Sequence, residues 1–248
     1  MSESRIDLLR ADTMLVAIDD TDTVDSEYGT GKVSRFLGAH LAAELESLSY
    51  RGSVRQQLLV DPRVPYTTHN SAAALLLEWP IDRSRDQVVS TAADFLADIA
   101  AEGSDPGLCV TRIGEVTDPI REFGIEAGEA VVQESAAYDL AMEADVFLEE
   151  YGGTGEGVIG ALAAVGRTTT GKYGRFIDLN DVRSFEGVVT VSALQREGVT
   201  VRTTAGVGLS EGEVETGDWV RPELRNGEPT LEVTRRESGL YRPTNLDD

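Results

Sequence analysis

The chain has 248 residues, with 44 acids against 22 cations and a formal net charge of -22, long enough for one large domain or two small lobes with their own cores. That charge opposes unselective binding to phosphate backbones, so any polyanion must find a local basic site. One cysteine, Cys109, excludes an internal disulfide and a multi-cysteine zinc cluster, and the lack of any run of about 18 apolar residues predicts no leader, no membrane span and a cytoplasmic protein.

Residues 14–18 form an apolar run that reads as a buried strand and ends in Asp19-Asp20-Thr21-Asp22. After a loop with two glycines, residues 32–49 carry Val33, Phe36, Leu37, Leu41, Leu45 and Leu48 at helical spacing. A strand over 57–60 is broken by Asp61-Pro62 and Val64-Pro65. A polar loop over 66–71 and a strand over 72–79, stopped by Pro80, come next. Residues 85–101 repeat the helical stripe, and 108–113 return as a strand after the turn at Pro106-Gly107. In order these pieces give βαββαβ, the ferredoxin-like pattern.

Residues 127–151 read as one long amphipathic helix, with Val131, Val132, Ala136, Leu140 and Phe147 on one side. A glycine loop over 152–157, a small-residue helix over 158–165, a loop over 166–174 and a strand over 175–179 follow. Beyond Gly187, alternating stretches at 188–191, 199–203, 219–224 and 230–234 predict β structure. The expected fold class is α+β. A ferredoxin-like lobe spans 13–113, the helical and glycine-loop part of a second lobe spans 114–186, and a β-rich C-terminal segment spans 187–248.

Three carboxylates in four residues repel one another unless a cation lies among them, so Asp19, Asp20 and Asp22 are candidate metal ligands. Mg²⁺ suits them, because it takes one or two carboxylates and leaves other positions to phosphates and water. Alternation along a strand lets Asp20 and Asp22 share a face; an Asx-turn capping the next element is the alternative reading. Gly153, Gly155 and Gly157 precede a helix and offer backbone N–H groups to phosphate, although a glycine cap between two closely packed helices fits the same residues. The segment 166–173 approaches the P-loop pattern but has Tyr173 where Ser or Thr belongs, and it lies between a helix and a strand instead of a strand and a helix. It still gathers Arg167, Lys172 and Arg175 into a candidate phosphate edge. Lys32 and Lys172 are the only lysines beside 20 arginines, and each follows a Thr-Gly pair. An acidic, lysine-poor surface points to a halophilic source, and two lysines retained in glycine-flanked loops are candidate phosphate contacts. His69 and Asn70 close a polar loop, but with two histidines in the chain and no cysteine pair, zinc is not expected.

The order of these motifs resembles the archaeal isoleucine-tRNA agmatinylcytidine synthetase family. The likeness lies in Ile18-Asp19-Asp20-Thr21-Asp22, which matches the family's I-D-D-T-D. It continues in Val64-Pro65-Tyr66-Thr67-Thr68-His69-Asn70-Ser71-Ala72, similar to I-P-W-K-T-R-G-N-G-A, and in residues 152–166, similar to its glycine-rich helix entry. It covers roughly residues 14–180. The resemblance implies a kinase-like α/β lobe interlocked with the ferredoxin-like one. It also implies an ATP- and Mg²⁺-dependent ligase that activates an acceptor, in that family a tRNA cytidine, for attack by an amine such as agmatine. Asp19, Asp20 and Asp22 would hold metal and triphosphate, with Asp20 catalytic; Gly153, Gly155 and Gly157 would donate to phosphate. Lys32, Arg167 and Lys172 would clamp it, and Asn70 would contact nucleotide. Ser34, in place of the family's phosphoryl-carrying threonine, would be the carrier, and Glu156 a general base or amine anchor. The family's OB-fold and zinc-ribbon segments have no counterpart here, so the chain looks like a shortened relative that grips tRNA only with a separate RNA-binding subunit. A non-catalytic ATP-binding regulatory module is the competing expectation.

Overall fold

The computed structural model describes residues 8–64 and 69–246. In β1 (Met14–Asp19), Met14, Val16 and Ile18 belong to one hydrophobic core and Leu15 and Ala17 to another, all fully buried. Such a strand needs a layer on each face, which is why it reads as an unbroken apolar run. α1 (Thr30–Glu44) and α2 (Arg85–Ile99) supply one layer through Val33, Leu37, Leu41, Val88, Ala92 and Leu96. α5 (Gly157–Thr169), apolar on nearly every side, supplies the other and is itself covered by α3 (Asp118–Glu126) and α4 (Glu134–Glu143). Each fully buried Leu or Ile contributes roughly 1.5–3 kcal/mol, so β1 can be held firmly while carrying acids at its end.

With β2 (Ser49–Gln57), β3 (Ser71–Glu78) and β4 (Gly107–Arg112), the first elements run βαββαβ and pair in the antiparallel order β4-β1-β3-β2. β5 (Phe147–Glu150) extends the sheet beside β4, and β6 (Arg175–Asp178) extends it beside β2. One register pair, Glu223 with Arg175, links β6 to β10 (Glu223–Arg225) and so to the C-terminal strands. There β11 (Glu228–Arg235) pairs with β10, β12 (Tyr241–Pro243) and β8 (Thr200–Thr203). β9 (Glu213–Gly217) and β7 (Gly187–Thr190) complete the sheet, and α6 (Val191–Arg196) packs beside them. The fold is mixed α+β, as expected. Among the described residues no helix is long and apolar enough to cross a membrane.

Local details correct the sequence reading. Of the single helix expected over 127–151, only α4, residues 134–143, is helical. Pro119 in the first turn starts α3 earlier, α4 ends where Asp145 takes a left-handed backbone (φ 53°), and the chain then adds β5 to the sheet edge. The strand expected over 57–60 lies earlier, at β2, because α1 stops at Glu44 and Ser47 turns at φ 75°. Leu58 and Leu59 instead give their backbone N–H groups to Asn70 and Ala127 carbonyls. α5 runs on to Thr169, so Arg167 is helical, not in a loop. The matched segment at 64–72 includes residues 65–68, which lie outside the described residues.

Candidate active site

β1 delivers Asp19 and Asp20 to the sheet end that α5 approaches with its N-terminus. Gly160 on the first turns of α5 makes that approach feasible, since a Cβ there would overlap the Asp19 carboxylate; Gly157 likewise sits against the Asp105 carbonyl. The strand end and the helix start enclose a cavity of about 110 Å³ lined by Asp19, Asp20, Asp22, Glu156, His69 and Asn70. Leu58, Leu59, Val64, Val131, Val132 and Ile159 form an apolar wall of the same cavity. Acids beside a helix N-terminus on one side and a greasy slot on the other suit a ligand with a polyanionic end, a cation and a flat apolar ring.

The electrostatics are strained without a cation. Asp19 is half-buried, and this burial, with the neighbouring Asp20 charge, pushes its pKa up to about 7. Burial also lifts Asp20 to about 6, helped by the charges of Asp105, Asp22 and Glu156. Asp20 sits at a left-handed φ of 50°, held where its carbonyl accepts the Asp105 N–H at 3.1 Å. Asp22 is partly committed elsewhere: its carboxylate accepts the Thr30 backbone N–H at 2.9 Å and the Thr30 hydroxyl at 2.8 Å, capping the start of α1. Among the described residues no three His, Cys, Asp or Glu side chains converge as a ready-made metal cage. Asp19 and Asp20, hard oxygens crowded without a counter-charge, do fit an ion such as Mg²⁺ that needs few protein ligands and takes the rest from phosphate and water.

The other expected residues divide sharply. Asn70 lines the cavity, donating its side-chain N–H to the Leu59 carbonyl at 2.7 Å, and so do Glu156 and Gly157 line it. Gly153 and Gly155 turn with φ of 66° and 89°, but the Gly155 N–H is given to the Asp105 carboxylate at 2.8 Å, and the Thr154 hydroxyl to the same group at 2.6 Å. The loop is thus tied to Asp105. Ser34 is fully buried on α1 and donates to the Gly31 carbonyl at 3.0 Å, away from the cavity wall. Lys32 faces a neighbouring cavity, its ammonium 4.0 Å from the Tyr28 ring centroid; Arg167 and Lys172 line a third space. Sequence reasoning missed Asp105, a lone acid in a turn some 80 residues from the motif it joins. It also missed the apolar wall, whose Leu58-Leu59-Val60 run looks like a strand.

No family model matches the chain. It is 30% identical over 155 residues to the isoleucine-tRNA 2-agmatinylcytidine synthetase TiaS of Pyrococcus horikoshii, a match that covers 61% of this chain and 35% of that protein. It is 29% identical over 157 residues to the enzyme of the same name from Methanosarcina mazei, covering 62% and 35%. A crystal structure of TiaS in complex with its isoleucine tRNA and ATP superposes with a TM-score of 0.52 at 23% identity, over 62% of this chain and 36% of that one. Apo TiaS does so with a TM-score of 0.51 at 23% identity, over 62% and 35%. At that identity the likeness establishes a shared fold. The chain spans about a third of the length of the curated relatives it matches.

Proposed function

We propose that the chain is an ATP- and Mg²⁺-dependent ligase that activates an RNA base, in the manner of tRNA agmatinylcytidine synthesis, for attack by a small amine. One observation carries this reading: a single cavity joins Asp19, Asp20 and Glu156, at the N-terminus of α5, to an apolar wall of nucleobase character. The relatives support it, a tRNA 2-agmatinylcytidine synthetase and a TiaS structure solved with tRNA and ATP. The acidic composition supports a setting at high salt.

Asp19 and Asp20 would hold Mg²⁺, which when bound spreads the charge developing on the transferred phosphoryl group. The start of α5 orients the triphosphate through its dipole and the Gly157 backbone. Leu58, Leu59, Val131 and Val132 grip the adenine and keep water from the transfer. The acceptor oxygen takes the phosphoryl group as ADP leaves, or the adenylyl group as pyrophosphate leaves; the amine nitrogen then attacks the carbon that bears this oxygen, which departs as phosphate or AMP. Glu156, within the same cavity, attracts the cationic amine and accepts the proton that nitrogen must shed. Asp20→Asn tests the reading: ATP turnover with agmatine and RNA drops roughly 100-fold or more, the several kcal/mol expected for losing a metal-held charge contact. Turnover at the parent rate overturns it. Thermal stabilisation by Mg²⁺ and ATP without turnover under any acceptor would leave a nucleotide-binding module instead.

A further inference from the structure

The cations of this acidic chain are gathered. Lys32, Arg35, Arg55 and Arg183 line a space of about 300 Å³ that shares Asp22, Thr30, His69 and Ser71 with the acid-lined cavity. Arg55, His69 and Trp219 also line the next space, of about 510 Å³, with Arg167, Arg175 and Arg221. Lys172, Tyr173 and Arg225 carry the wall into a third of about 490 Å³, where Arg202 joins. Ten of the 22 cationic side chains therefore lie along one track leading to the acids, against three carboxylates, Asp22, Glu223 and Glu232. The whole chain has twice as many acids as cations, so the ratio is inverted there.

The cations crowd each other. Burial lowers the Arg55 and Arg183 pKa values, and neighbouring guanidinium groups, Arg175 for the first, Arg35 and Arg221 for the second, lower them further, with the Asp178 carboxylate partly offsetting the effect on Arg183. Buried Nε atoms of Arg167 and Arg202 lack a hydrogen-bond partner among the described residues. An unassisted fold gains little from packing like charges, and a bound polyanion would reverse that cost. Where the first two spaces meet stands Trp219, half-buried, with the Arg183 and Arg221 guanidinium groups 4.3 and 4.6 Å from its ring centroid. A mononucleotide would fill one space. Three joined spaces, each lined by cations and with an indole at the first junction, match successive phosphates with a base to stack.

We propose that this track binds a single-stranded segment of RNA, with phosphates on the arginines and a base stacked on Trp219 in place of one of the two guanidinium groups now over its ring, and leads the strand into the acid-lined cavity. That the strand is RNA rests on the function proposed above; the groove itself does not. The site draws Trp219, Arg221, Arg225 and Arg202 from the C-terminal β-rich residues, which gives that segment a task.

The test is fluorescence anisotropy of the whole chain with labelled oligouridine at graded KCl, without ATP or Mg²⁺, alongside tryptophan emission. Saturable binding that weakens with salt and quenches tryptophan is expected. Arg175→Glu with Arg221→Glu, and separately Trp219→Ala, should weaken it about tenfold or more, while Trp219→Phe, which keeps a stacking face, restores most of it. Circular dichroism of each variant shows whether it folds; if Trp219→Ala does not, the Phe variant and the charge reversals decide. No saturable binding, groove variants that bind like the parent, duplex RNA bound as tightly as single strands, or full displacement by tripolyphosphate at equal phosphate concentration would each overturn the proposal. A chain that turns over ATP with agmatine and a mononucleoside acceptor but binds no RNA sinks this inference alone. One that binds RNA but turns over no ATP sinks only the ligase reading.

Discussion

At the scale of single residues, Asp19 shows a site built at the expense of stability. Its pKa near 7 in the metal-free fold, against 3.8 for the free side chain, costs up to about 4 kcal/mol once it is ionised. Between about pH 4 and 7 the folded chain keeps a proton there that the unfolded chain has released, so stability falls as pH rises through that window. Asp19→Asn should therefore raise the thermal midpoint of the metal-free protein at pH 8 while ATP turnover collapses; a lower midpoint would show that the carboxylate is not under strain. Ser34 leads to the opposite expectation. Because its hydroxyl is buried and bonded to the Gly31 carbonyl, Ser34→Ala should leave turnover within about twofold and cost about 1 kcal/mol of stability in denaturant unfolding. A covalent phosphoserine at that position, seen by mass spectrometry after incubation with ATP, would contradict it. The acids of the motif are legible in the sequence because crowded like charges announce a purpose wherever they fold. Asp105 is not, since one acid in a turn looks like any loop residue until the fold brings it to Gly155.

Among the elements, α5 governs the site. Its small residues let it lie against β1 and β4, and its first turns face the acids. Gly160→Ala would push a methyl group into the Asp19 carboxylate, so the helix must shift; such overpacking costs about 1–3 kcal/mol and should cut turnover at least about tenfold. A variant with parent activity would mean that α5 does not set the geometry. The glycine loop before it depends on Asp105, which holds both the Gly155 N–H and the Thr154 hydroxyl. Asp105→Ala should raise KM for ATP about tenfold, the value of one charged hydrogen bond or more, with a smaller change in kcat. The βαββαβ order is readable because both helices keep a 3.6 period and β1, β3 and β4 are nearly unbroken apolar runs; β2, SYRGSVRQQ, has neither, so the expected strand falls late, at 57–60. The stretch 127–151 misleads because Val131, Val132, Leu140 and Phe147 keep near-helical spacing across a turn, the short helix α4, a second turn and a strand. The better guides are the helix start at Asp118-Pro119 and the edge-strand run 146–148, which is too short to declare itself.

The whole molecule sets an acid surface against a basic track, and the sequence displays only pieces of that track, Lys32 and the cluster of Arg167, Lys172 and Arg175. The track takes residues from α1, β2, the end of α5, β6 and the C-terminal strands, and only the sheet order β2-β6-β10 brings them side by side. Composition does foretell how the two parts respond to salt. Repulsion among 44 acids acts over a Debye length of about 10 Å at 0.1 M and about 3 Å at 1 M, so added KCl relieves the fold while it screens the arginines from a ligand. The thermal midpoint should rise from about 0.1 to about 1 M KCl, and with Mg²⁺ and ATP present the gain should shrink, because the acid-lined cavity would already be neutralised. A midpoint that falls over that range would mean that repulsion among the acids does not limit stability. An unchanged gain with Mg²⁺ and ATP would place the strain outside the cavity, on the acids spread over the remaining surface.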